Sequence, residues 1–467
     1  MKKISYIILA LVLFLGIGGL AESSLAATIN AVSCSYADVA EAVSSADSED
    51  TVLVPPGSCA WSSTLSIAKG VSLIGAGSGN TKITAVANPL IRYAPTAATG
   101  ALNYGLRISG FSFTLGANRG IALCGSTKYG SACESSNNMG AVAQTKIRIN
   151  HNNFSGSDGP TIEIVGAFRG VVDNNIFTGF GTSQRAWGTG SGQDDWDAFG
   201  PLIYGTPDNM YFEDNTYNDV GGYMITDCAQ GGRYVYRNNI ISQSGDLYPI
   251  FDYHGGGASG AFSCFSGEIY GNQITTNGHG SNLLSHRGGK AIAFFNSLSG
   301  VSAGSGDIKI YTDACPLTDH YSDQLVQDSY YWINRRGVTG SLLDATITGD
   351  TCGYLVENSN FWTDDSSLNG TVGVSCGPLA SRPAACVTGI GYWATNQSCS
   401  NLTGMVGINP ASPIAGTLYK CTAPNTWTAY YNPYVYPHLL RTDCNNYPTL
   451  CDGDSTRPAA PTGLTVN

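Results

Sequence analysis

The chain has 467 residues, of which 12% are charged and 10% aromatic, with 59 glycines and a formal net charge of 23 − 34 = −11. It is too aromatic and too sparsely charged for a disordered polymer, and it lacks the Ala/Glu/Lys/Leu/Arg bias of a coiled coil. The acidic balance and the absence of any basic run argue against a nucleic-acid partner, which requires a positive face.

Residues 1–27 read as a signal peptide. Lys2 and Lys3 precede an apolar run from Ile4 to Ala21, and Ser24-Leu25-Ala26-Ala27 supplies small residues for cleavage. An uncleaved anchor is the alternative. No later stretch is apolar enough to span a bilayer. The expected location is therefore secreted or at the cell surface, and cleavage leaves a charge of 21 − 33 = −12. Fourteen cysteines suit disulfides in that setting. None lies in a C-x-x-C pair. Cys34 and Cys59 are placed to tie a helix to the first strand, Cys124 and Cys133 to close a local loop, and Cys228 and Cys264 to bridge neighbouring repeats. The remaining pairings stay open.

Residues 35–46 predict a helix. Ser35 and Asp38 have capping-box spacing, and Val39, Ala42, Val43 and Ala46 form one apolar stripe. Short strands follow at Asp50–Gly57 and Val71–Gly77. Then a phrase recurs: a few β-formers, an Asn, any residue, an apolar residue. Its anchors are Asn152, Asn175, Asn215, Asn239, Asn272, Asn296, Asn334 and Asn358, with gaps of 23, 40, 24, 33, 24, 38 and 24. A fixed period with insertions marks a repeat architecture. The reading is a parallel β-helix with one strand per rung, rungs stacked at about 4.8 Å. Each Asn would sit at a tight turn, adopting left-handed geometry and bonding backbone. A β-sandwich with Asn turns is the alternative.

The opening segments Tyr36–Val43, Thr51–Gly57 and Gly70–Gly77, followed by the Asn-centred rungs, resemble secreted bacterial right-handed β-helix proteins of the pectin-lyase-like superfamily. The resemblance spans residues 35–362. It implies an all-β, right-handed parallel β-helix over 28–362 with an N-terminal capping helix. It does not imply one activity, because that superfamily holds lyases, hydrolases, esterases and adhesins. The acid pairs of polygalacturonases are not recognisable here, and neither is the calcium-aspartate set of pectate lyases. Residues 363–451 form a cysteine- and aromatic-rich segment, either a cap on the last rungs or a patch stacking sugars on Trp393 and Trp427. Residues 452–467 read as a linker-like tail.

Offsets from the anchors bring chemistry together. Asp227 lies 12 after Asn215, Asp252 and His254 lie 13 and 15 after Asn239, and His286 and Arg287 lie 14 and 15 after Asn272. Asp227, Asp252, His254 and Arg287 are the candidate catalytic residues. Trp187, Asp194, Asp195, Asp197, His286 and Lys290 are candidate substrate contacts, the three aspartates on a long insertion. Two chemistries suit this set. In β-elimination, His254 or Arg287 is the base, a cation stabilises the enolate, and Asp227 and Asp252 are candidate Ca²⁺ ligands. In glycoside hydrolysis, Asp227 and Asp252 are the carboxylate pair. The expected partner is an extracellular or cell-wall polysaccharide. The non-enzymatic alternative is a surface, matrix or filament protein that binds glycans or self-associates, with Arg287–Asp252 a structural ion pair.

Overall fold

The structure is a computed structural model. It describes residues 26–125, 133, 144–156, 160–178, 184–187 (backbone only), 204–218, 224–243, 249–256, 262–276, 282–300, 307–316, 324–367 and 369–452. The expected signal peptide and nearly all of the linker-like tail lie outside these residues.

The chain winds into a right-handed parallel β-helix with three strands per rung, not one. The first sheet has 12 strands, from Thr28–Asn30 to Phe361–Trp362. The second has 10, from Gly57–Trp61 to Arg335–Arg336, and the third has 10, from Leu65–Ile67 to Ala345–Gly349. Every pairing within these sheets is parallel, for example Asp173↔Glu213↔Arg237 in the first and Phe154↔Phe177↔Tyr217 in the second. The repeated phrase marked only the corner between first and second sheets. The other two strands of each rung lack a fixed sequence mark.

At that corner the anchors form a ladder of buried amides. The backbone N–H and side-chain amide of Asn152 donate to Asn175 Oδ1 at 3.0 and 3.2 Å. The same pair of bonds links Asn175 to Asn215, then Asn239, Asn272, Asn296 and Asn334. From Asn152 to Asn334 the left-handed residue is not the anchor but the one before it, with φ 53° at Asn174, 56° at Asp214 and 52° at Phe295, whereas Asn358 is itself left-handed at 62°. The ladder stops at Asn334. Asn358 instead accepts from Gly373 N–H at 2.6 Å, and Asp364 takes over at the ladder's end by accepting from Ile333 N–H.

Inside the solenoid, like stacks on like. Phe113, Phe154, Phe177 and Tyr217 form a continuous stack with centroids 5.3, 5.1 and 4.7 Å apart, burying large apolar area at each rung. The helix Tyr36–Ser45 closes the open first rung, burying Val39, Ala42 and Val43. Ser35 Oγ caps it by accepting from Asp38 N–H. The reciprocal half of the box is absent, because Asp38 turns to the Ser33 hydroxyl. Cys34–Cys59 staples this cap, and all fourteen cysteines form seven disulfides, including the expected Cys124–Cys133 and Cys228–Cys264. Such a framework belongs to oxidising surroundings, extracellular or periplasmic. Among the described residues no helix is long and apolar enough to cross a membrane.

The C-terminal segment does more than cap the last rungs. Strands Val374–Gly377, Gly391–Ala394, Thr417–Ala423 and Thr426–Tyr431 form a separate small sheet. Trp393, a sugar platform on the alternative to the cap reading, is fully buried against Phe294 and Trp332. Past Tyr431 the chain runs back along the outer face of the first sheet as a strap, as far as Ser72, whose hydroxyl donates to the Thr449 carbonyl. Beneath it lies a sealed charge network. Arg148 makes two bonds to Asp173, at 2.9 and 2.8 Å, and reaches Asp452 at 2.7 Å. Arg237 bonds Glu213 at 2.7 Å and the Tyr434 and Val435 carbonyls, and Arg441 joins Glu213 and Asp214.

Candidate functional site

The third sheet carries the candidate site on its outer face. Asp227 sits on strand Thr226–Cys228, Asp252 on Phe251–Tyr253 and His286 on Leu284–His286. Asp227 is in register with Asp252, and Asp252 with Ser285. Side chains alternate along a strand, so Asp227, Asp252 and Ser285 form one outward column. Tyr253 pairs with His286, which sets these two inward. His254 and Arg287 follow one residue later and face out again beyond the strand ends.

Local chemistry holds this edge in place. His254 N–H donates to the Cys228 carbonyl at 2.8 Å, and Cys264 N–H donates to the His254 carbonyl at 2.9 Å. The Cys228–Cys264 disulfide thus brackets the histidine. Gly255 follows, and a Cβ there would lie 2.5 Å from the Arg287 carbonyl oxygen, so only glycine allows the two rungs to approach.

The predicted catalytic four come together. His254 Nε2 lies 2.6 Å from Asp227 Oδ1 and 3.2 Å from Asp252 Oδ2. Arg287 grips Asp252 with two bonds, Nε to Oδ1 at 3.1 Å and Nη2 to Oδ2 at 2.5 Å. Its third nitrogen, Nη1, holds both oxygens of Asp313 at 3.0 Å. Asp313 in turn accepts from Gly255 N–H at 3.0 Å, tethering the turn behind His254. The side chains of Asp227, Asp252 and Arg287 are 9%, 6% and 14% exposed, whereas His254 is 33% exposed and is the open door of the cluster.

Electrostatics follow from this geometry. Burial disfavours a charged His254 ring, but its hydrogen bonds to Asp227 and Asp252 and the attraction of both carboxylates outweigh it and lift the ring to about 9. It carries a proton at neutral pH. Burial likewise opposes the charge on Arg287, and Asp252 and Asp313 outweigh it, raising that guanidinium above its ordinary value. Neither group is a base near pH 7.

Other expected contacts lie elsewhere. His286 is fully buried, with Nδ1 2.6 Å from the Tyr331 hydroxyl and Nε2 3.0 Å from the Gly288 carbonyl, and burial pushes its ring down to about 4. An inward strand position removes it from any substrate face. Lys290 has turned the corner onto the first sheet, where it and Lys420 share Asp328 at 3.0 and 2.7 Å. Asp194, Asp195 and Asp197 lie outside the described residues. Trp187 ends strand Gln184–Trp187, one rung below Asp227, and only its backbone is described.

Asp227, Asp252 and His254 can bring one ligand atom each within 4.8 Å of one another. Calcium fits this set poorly. It takes six to eight oxygens. Here both oxygens of Asp252 are engaged by Arg287, and the third donor is an imidazole nitrogen in place of an oxygen.

Sequence reasoning missed Asp313 and Tyr311. Tyr311 lies 15 after Asn296, the same offset that placed His254 and Arg287, so a signal for it existed. Asp313 follows two residues on, inside a long gap that offers no anchor of its own.

No family model matches the chain, and no curated protein matches it. A solved structure described as ORF18 of Geobacillus virus E2 is similar over 87% of this chain and 77% of that one, at 12% identity and a TM-score of 0.33. A likeness at that level carries no argument about fold or activity.

Proposed function

We propose that this is an exported protein of the pectin-lyase-like kind that hydrolyses glycosidic bonds of an extracellular polysaccharide on the outer face of the third sheet. The observation that carries the reading is the bridge of His254 between carboxylates of two adjacent rungs, with the histidine open to solvent. Hydrolysis is preferred to elimination because elimination needs an unprotonated base, and both candidates, His254 and Arg287, hold their protons.

The two carboxylates have different surroundings, which is how one pair takes two roles. Asp252, clamped by Arg287, is the carboxylate that stays charged and attacks the anomeric carbon. Asp227 shares the His254 proton and delivers it to the departing glycosidic oxygen. The carbon–oxygen bond breaks, a covalent ester forms on Asp252, and water, deprotonated by Asp227, then releases the sugar and restores both acids. Carboxylates near enough for one imidazole nitrogen to reach both, at 2.6 and 3.2 Å, suit this double displacement better than an inverting site, whose carboxyl groups stand about 6.5–9.5 Å apart.

A second reading, glycan binding without turnover, is favoured by one feature. The Asp252–Arg287–Asp313 chain is closed, as a structural ion network would be. Incubating the purified protein with a polysaccharide panel separates the readings. New reducing ends that vanish in Asp227→Asn and Asp252→Asn support hydrolysis. Absorbance from an unsaturated product would instead restore elimination, and binding with no product would leave the second reading.

A further inference from the structure

The column above His254 continues for two more rungs. His254, Arg287 and Tyr311 occupy matching positions on successive strands, since Tyr253 pairs with His286 and His286 with Ile310. The residue that meets Tyr311 on the following strand is Gly349. That glycine has no side chain to lay over the ring, and a Cβ there would stand 3.3 Å from Tyr311 Cβ. The ring is half-buried, its hydroxyl bonds Ser285, and the Arg287 guanidinium carbon lies 5.8 Å from its centroid. It is therefore held at its tip and from the Arg287 side, and Gly349 on the following strand contributes no side chain over it.

Charge narrows what this surface accepts. Along this edge three acids, Asp227, Asp252 and Asp313, are held by two cations, His254 and Arg287, with Lys309 one strand on in the Ser285 column. The Arg287 fork is spent on two of those acids, so no guanidinium remains to meet the carboxylates of a polyuronate. The chain as a whole repels polyanions at a net charge of −11. An aromatic face, in contrast, offers apolar contact to the C–H side of an uncharged sugar ring.

We propose that Tyr311 is the stacking platform of a subsite for an uncharged pyranose, two rungs or about 9.6 Å from His254, and that the substrate is a neutral polysaccharide lying along the solenoid axis. The inference rests on the glycan reading above and adds its substrate class and direction. Affinity electrophoresis tests it, with the full chain run through gels containing mixed-linkage β-glucan, arabinoxylan, galactomannan or polygalacturonate. At least one neutral polymer retards the protein and polygalacturonate does not. Tyr311→Ala weakens that affinity about tenfold, while Tyr311→Phe keeps it within about twofold. Equal retardation of Tyr311→Ala, a preference for polygalacturonate, or no retardation by any neutral polymer overturns the proposal. Retardation needs no cleavage, so the two readings fail separately. Tyr311-dependent binding without new reducing ends removes hydrolysis and keeps the subsite. Cleavage of a neutral polymer that ignores Tyr311→Ala does the reverse.

Discussion

The outer faces of the first and third sheets are built on the same rung spacing and both stack charged residues in register, yet they end in opposite states. On the first, Asp173, Glu213 and Arg237 stand in one column, and the strap seals them so that their side chains have no exposure. Higher in that column the residues become Tyr270, Phe294 and Trp332, and the small C-terminal sheet covers them. On the third sheet no strap is formed by the described residues, and His254 stays open between Asp227 and Asp252. A ladder of charges is thus not a site by itself. What separates structure from candidate chemistry is whether another segment supplies the remaining partners.

The largest break in that comparison is expected under the strap. Arg148→Ala leaves buried Asp173 with the Asn174 amide and the more distant Arg441 guanidinium, and breaking a buried ion pair costs about 3–5 kcal/mol. Urea unfolding should show that loss, and replacing Arg148 and Asp173 together by apolar residues of similar volume should recover much of it. The third-sheet face is expected to be untouched, with His254 titrating as in the parent. Next in size is the Cys228–Cys264 bridge, 36 residues apart in sequence. Its removal as Cys228→Ala/Cys264→Ala is expected to cost about 3–4 kcal/mol by loop entropy. Unlike the strap variant, it should also displace His254, whose backbone hangs between the two cysteines.

Much of this was legible in the chain, and the limits have physical causes. The Asn period announced the solenoid because a buried amide that bonds its copy one rung away has no cheap substitute. Except at Asn358, the left-handed turns were misassigned by one residue, since along the ladder the conformational demand falls on Asn174, Asp214 and even Phe295, which share no residue type. Offsets found Asp227, Asp252, His254 and Arg287 because few insertions intervene between those strands and their anchors. The strap was not legible: Arg441 meets Glu213 across 228 residues, and no periodicity reports a pairing at that distance. His286 was misplaced by a single position, which in a strand reverses the face.

The ladder, at the corner between the first and second sheets, gives a control of intermediate size. Asn215→Ala removes the donor to the Val172 carbonyl and the acceptor for Asn175, at a cost of about 2 kcal/mol. Asn358→Ala, outside the ladder, should cost less than about 1 kcal/mol. Thermal unfolding of the pair should rank them in that order. Neither should change glycan binding if the two faces are independent.

The smallest effect is the most selective. The His254 ring is raised from its ordinary value near 6.5 to about 9, so the folded state binds its proton more tightly than the unfolded chain. The stability this brings is complete below the unfolded value and is lost as pH rises through about 9. Under the strap the sign reverses. Burial opposes charge on Glu213, but Arg237 and Arg441 prevail and hold it down at about 2, so its contribution is present above the ordinary carboxylate range and lost as pH falls toward 2. The two faces should therefore weaken at opposite ends of the pH scale. Unfolding midpoints from pH 3 to pH 10 should show an alkaline decline that disappears in His254→Gln and an acid decline that does not. An alkaline limb that survives His254→Gln would mean that the proton is not held between Asp227 and Asp252, and the proposed delivery of that proton to a leaving sugar would lose its source.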